Sequence, residues 1–109
     1  MNIDYAQIVK DMLNVAKGIL ESNWKEAKPY AEKEFKSFSE NIKLIAKLKL
    51  DNKITEEQAK GYLEIQKSSM RIVLLSIEGL GIVAVENTIN SALDVIKKTV
   101  NTAIGWKIL

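Results

Sequence analysis

The chain has 109 residues, 47% hydrophobic and 28% charged, with a formal net charge of +2 at pH 7. Such a length is one domain or less, and such a balance excludes disordered and collagen-like classes. One proline and five glycines are too few turns for a small β-sandwich or barrel. With no cysteine and no histidine, the chain forms no disulfide, zinc finger, Ser-His-Asp or Cys-His nucleophile, or ordinary di-iron ligand set.

The first half reads as helix throughout. Val9, Leu13, Ala16, Leu20, Trp24, Ala27, Ala31, Phe35, Phe38, Ile42 and Ile45 recur with a mean spacing of 3.6 residues, the α-helical period. Ile8, Met12, Val15 and Ile19 widen this stripe near its start. Pro29 lies off the stripe and predicts a kink, because a mid-helix proline removes a hydrogen bond and costs about 3 kcal/mol. Asn23 with Glu26 offers a fresh helix start, so two helices in phase are the alternative to one kinked helix. Residues 1–20 carry Asp4, Lys10, Asp11 and Lys17, which does not match a secretory signal, and the expected location is cytoplasmic.

A turn is predicted at 51–54. Asp51 and Asn52 favour leaving a helix, and Thr55 with Gln58 forms a capping box at the start of the next one. Glu56 and Glu57 then occupy the first turn, where the helix dipole favours negative charge.

From there a second helix is predicted over about 55–105. Tyr62, Ile65, Ile72, Leu75, Ile82, Val85, Ile89, Leu93, Ile96, Val100 and Ile104 share one face, with Ser69 and Gly79 filling the gaps, at a mean spacing of 3.5 residues, the coiled-coil value. Eleven of the sixteen residues from Met70 to Val85 are apolar, on every side of that helix. A helix apolar all round is buried all round. The expected fold is therefore all-α, one helical domain over 1–109: a long antiparallel two-helix hairpin, kinked at Pro29, that becomes a four-helix bundle by pairing with a second copy. The alternative is a short single-chain four-helix bundle with breaks near Pro29 and at Gly79–Gly81.

Glu78 and Glu86 are the candidate site residues. On a continuous second helix both project from the apolar stripe toward the core, where a carboxylate must be paired or take up a proton. The hairpin register pairs Glu78 with Lys25 or Lys28 and Glu86 with Lys17, as structural ion pairs. The functional alternative combines Glu78 and Glu86 with Glu21 and Glu26 as an all-oxygen ligand set for a divalent cation, a ferritin-like carboxylate bundle without its histidines. Gly79-Leu80-Gly81 follows no strand and reads as close helix approach rather than a phosphate loop. The segment from Ile104 to Leu109, with Trp106 and one charge, is expected to pack on a second chain.

The basic side is fifteen Lys and one Arg (Arg71), interleaved with ten Glu and four Asp. Such a surface is solvated rather than a phosphate-binding stripe, which argues against nucleic acid as a partner. No uncharged apolar run reaches the 20 or so residues of a membrane span, so a membrane partner is not expected either. The leading expectation is a non-enzymatic helical oligomer acting as an assembly, scaffolding or protein-interaction module, with itself as partner in a homodimer or higher even oligomer, or else another helical protein. No cofactor is expected. The cation-binding bundle is the first alternative, and a membrane-surface or pore-forming helical protein is the second.

Overall fold

A computed structural model describes residues 3–109. It contains four α-helices, α1 (Tyr5–Leu20), α2 (Trp24–Leu50), α3 (Glu56–Leu75) and α4 (Ile82–Ile104), with no strand among the described residues. Each helix packs on its neighbours in chain order and α4 closes the ring against α1. The result is a single-chain four-helix bundle measuring 43 × 22 × 18 Å. The long dimension matches the 27 residues of α2, about 40 Å at 1.5 Å per residue.

The two-helix hairpin is thereby replaced by the shorter alternative, and both breaks have local causes. The first is not at Pro29, which lies inside α2. Asp4 caps the start of α1 by accepting from the Gln7 amide at 3.1 Å. The helix ends at Glu21, whose φ of +47° takes the chain out of the helical region, and a single 3-10 turn over Glu21–Asn23 leads into α2. α1 folds back along α2, so that the Ser39 hydroxyl donates to the Tyr5 carbonyl at 3.4 Å.

The second break spans residues 76–81. Gly79 has a φ of +89°, and a Cβ there would stand 3.5 Å from the Asn23 side-chain oxygen, so both breaks lie at the same end of the bundle. Ile77 and Leu80 are buried in this turn. Those two side chains kept the segment looking helical in sequence, because an apolar plug at a bundle end is as hydrophobic as a helix core.

The turn between α2 and α3 follows its sequence signals. Asn52 is left-handed at φ +56°. Its amide donates to Lys49 O at 3.0 Å and the Lys53 amide to Leu48 O at 2.8 Å, the paired bonds of a Schellman motif. Thr55 and Gln58 cap α3 reciprocally, at 3.1 and 2.9 Å.

One core runs through the bundle. It takes Ile8, Met12, Ala16 and Leu20 from α1, with Ala27, Ala31, Phe35, Phe38, Ile42 and Ile45 from α2. Ala59, Leu63, Met70 and Leu74 come from α3, and Val85, Ile89, Ala92, Ile96, Val100 and Ile104 from α4. On α2 and most of α4 this is the predicted stripe. On α1 the predicted Ala16 and Leu20 are buried, and at the start of the helix the widening residues Ile8 and Met12 take the core positions while Val9 and Leu13 are only partly buried. On α3 Tyr62 packs against the core as predicted, but Ile65 and Ile72 are 67% and 70% exposed. Once the chain breaks at 76–81, α3 no longer shares the phase of α4, and it turns Leu63, Met70 and Leu74 inward instead.

The same end that carries the α2–α3 turn is closed by the segment after α4. Gly105 ends α4 in the left-handed conformation at φ +82°. Asn101 then accepts from the amides of Ile108 and Leu109, both at 3.0 Å, and folds the segment back. Ile108 is buried and Trp106 packs against the core of its own chain, under the Lys49 ammonium at 4.7 Å from the ring centroid. Part of the segment expected to pack on a second chain thus packs within one, with Ile108 buried and Trp106 and Leu109 half-buried.

Candidate interaction surface

The carboxylates singled out in the sequence are not turned inward together. Glu78 sits in the exposed turn between α3 and α4, not in the core, because the helix that would have aimed it inward ends at Leu75. Glu21 and Glu26 are exposed at the α1–α2 corner. Glu86, on α4, is partly buried and pairs with Arg71 of α3 rather than with Lys17. The Arg71 Nε donates to Glu86 Oε1, and a terminal guanidinium nitrogen donates to Oε2 at 3.4 Å. The guanidinium hydrogen bond holds the Glu86 carboxyl below the ordinary carboxylate range, and the same bond raises the Arg71 pKa. Among the described residues no three acidic side chains stand close enough to hold a metal ion.

The surface concavities are open grooves. One of about 520 Å³ lies along the end of α4 between Asp94, Lys97, Lys98, Asn101 and Lys107. Another of about 390 Å³ runs between α1 and α2, lined by Tyr5, Val9, Lys10, Lys36 and Glu40. The second is also lined by Ser39, whose hydroxyl donates to the Tyr5 carbonyl. Buried polar side chains are also accounted for: Thr88 donates to Ala84 O at 2.7 Å one turn back, and no buried side-chain nitrogen or oxygen among the described residues lacks a partner.

What stands out is aliphatic surface. Ile65, Ile72 and Leu75 lie on the outer side of α3, and Ile82 and Val83 open α4 at 62% and 70% exposure. The Arg71–Glu86 bond fixes the register of α3 against α4, and counting outward from it sets Leu75 level with Ile82 across the turn. Five exposed aliphatic side chains therefore lie on these two neighbouring elements. Tyr30, Leu44, Leu50 and Val95 are exposed one at a time elsewhere, as on most protein surfaces.

The outer row of α3 also has a spacing. Gly61, Ile65, Ser68, Ile72 and Leu75 are all exposed and follow one another at 4, 3, 4 and 3 residues, the repeat of a coiled-coil seam. Ile65 and Ile72 stand two residues beyond the buried Leu63 and Met70, which is 200° round the helix and so opposite the core. The sequence carries this signal in Ile65, Ile72 and Leu75, seven and three residues apart, which a continuous second helix turns to its core side.

No helix among the described residues is long and apolar enough to cross a membrane. The chain matches no protein-family model, and neither a curated protein nor a solved structure is significantly similar to it.

Proposed function

We propose that this protein is a non-enzymatic helical assembly module, whose function lies in an interface formed by α3 and the start of α4. The observation that carries this reading is the exposure of Ile65, Ile72 and Leu75 on α3 and of Ile82 and Val83 at the start of α4. Each such side chain gains about 1.5–3 kcal/mol when fully covered, and a group of them that the fold leaves in water on two packed elements supports docking of another protein there. The basis differs from the one the sequence offered. The apolar stretch from Met70 to Val85 is satisfied inside one chain for Met70, Leu74, Ile77, Leu80 and Val85. Only its outward members call for a partner.

Native mass spectrometry of the untagged protein, purified without chelator, tests the reading because it reports subunit number and bound mass together. The expected result is a dimer or higher even oligomer without stoichiometric extra mass, which falls to monomer in Ile72→Ser/Val83→Ser. A monomer at every concentration would contradict it. A stoichiometric ion released on unfolding would favour the carboxylate bundle instead.

A further inference from the structure

We propose that the groove between α1 and α2 binds a small aromatic carboxylate, with its anionic end between Lys10 and Lys36 and its ring against Ala6, Val9 and Tyr5. The proposal is independent of the α3 surface.

The antiparallel packing of the two helices sets the ends of the groove. The Ser39 hydroxyl donates to the Tyr5 carbonyl, which places those two residues level. One turn along α1, to Val9 and Lys10, is one turn back along α2, to Phe35 and Lys36. Lys10 and Lys36 therefore flank one end, and Glu40 stands at the other, beside Tyr5. The Lys43 ammonium lies 5.9 Å from the Tyr5 ring centroid and offsets the Glu40 charge at that end. Among the described residues, neither Lys10 nor Lys36 stands within ion-pair distance of a carboxylate. The excess positive charge is thus at the Lys10–Lys36 end, and it selects an anionic group there.

The middle of the groove is apolar with one polar atom at its floor. Val9 belongs to the core stripe of the sequence but is only half-buried where it lines the groove. Ser39 is 3% exposed, at a core-facing position beside Phe38 where a larger side chain would fill the space. Its bond to Tyr5 is 3.4 Å long, whereas an ordinary hydroxyl bond is about 2.5–3.0 Å. A buried hydroxyl with so weak a partner is left to bond a ligand.

Size selects a small molecule over a protein segment. From Tyr5 to Lys10 the groove runs only about 8 Å at 1.5 Å per residue, too short to seat a helix and enough for a ring with a short acid chain. Its volume of about 390 Å³ falls in the range of small-molecule sites.

The test is a ¹⁵N-resolved NMR titration of the full chain with 3-phenylpropionate, with the neutral amide 3-phenylpropanamide as the comparison. The expected result is saturable shifts confined to the amides of residues 5–10 and 36–40, with a Kd of about 1 mM or below. The amide should bind at least fivefold more weakly. Lys10→Met/Lys36→Met should remove that preference, and Ala6→Phe, an exposed position on α1, should block the groove without touching the core. No saturable shift would overturn the proposal, as would shifts centred on Ile65 and Ile72. Equal binding of acid and amide would overturn the charge assignment, and full binding by Ala6→Phe would overturn the location.

Discussion

Arg71 and Glu86 join α3 to α4 through two hydrogen bonds on one guanidinium, and this pair fixes the register of the two helices across their turn. The carboxyl of Glu86 ordinarily titrates near 4.5 and is held lower by that bond. A carboxyl with a depressed folded-state pKa contributes stability that is present above its unfolded value and lost as pH falls through its folded one. The difference in thermal midpoint between wild type and Glu86→Gln should therefore be present at neutral pH and shrink as the pH drops below 4.5. A gap that is constant across the acid range would mean the pair is electrostatically idle.

Lys49 does a related task at the opposite end. Its ammonium donates to the Ile104 carbonyl at the C-terminus of α4 and lies over the Trp106 ring. A cation there satisfies one of the unpaired terminal carbonyls and faces the negative end of the helix dipole, and the ring contact adds about 0.5–1 kcal/mol at a partly exposed site. Lys49→Met, which keeps most of the stem, should lower stability by about 1–2 kcal/mol. It should also speed hydrogen exchange at the Ile108 and Leu109 amides that Asn101 holds. Denaturant titration with exchange mass spectrometry checks both.

Glu21 carries strain that a different residue relieves. Its φ of +47° and ψ of −111° lie where side chains are disfavoured and glycine is at ease. Its side chain is exposed. Glu21→Gly should therefore stabilise the bundle by about 1 kcal/mol, in contrast to most glycine substitutions. Loss of stability on urea titration would show that the corner is not strained.

The rotation of α3 away from the phase of α4 separates neighbours two positions apart. Leu63 is 3% exposed and Ile65 is 67% exposed. Leu63→Ala should cost about 2–5 kcal/mol, and Ile65→Ala, measured on the monomer, should stay within about 0.5 kcal/mol. The opposite order would restore the continuous second helix.

How much of this was legible in sequence depends on what each residue signals by itself. Thr55 and Gln58 announce a helix start through their own side chains, and the α2–α3 turn lies where they place it. Phe35, Phe38, Ile42 and Ile45 fall at helical spacing within one unbroken helix, so their burial follows from periodicity alone. The other two corners are less plainly marked: Asn23 with Glu26 offers a helix start where α2 does begin, but without a side-chain capping bond. Glu21 is an unexpected residue for a positive φ, and Gly79 is flanked by Ile77 and Leu80, whose burial at the bundle end imitates helix core. Without the break at 76–81, α3 is locked in phase with α4. A continuous second helix therefore places Glu78 in the core and buries Ile65 and Ile72, all three of which are exposed. The surface that supports the proposed function was thus visible as a pattern, but its side of the helix depended on a backbone break that local composition conceals.

Sedimentation equilibrium over about 1 µM to about 1 mM tests the assembly reading most directly, because one helix seam is a small interface and its association is expected to be weak. The wild type should move from monomer to dimer across that range, and Ile65→Ser/Ile72→Ser should remain monomeric with its helicity unchanged. A wild type that stays monomeric at the highest concentration, or a double variant that dimerises as well as the wild type, would contradict it.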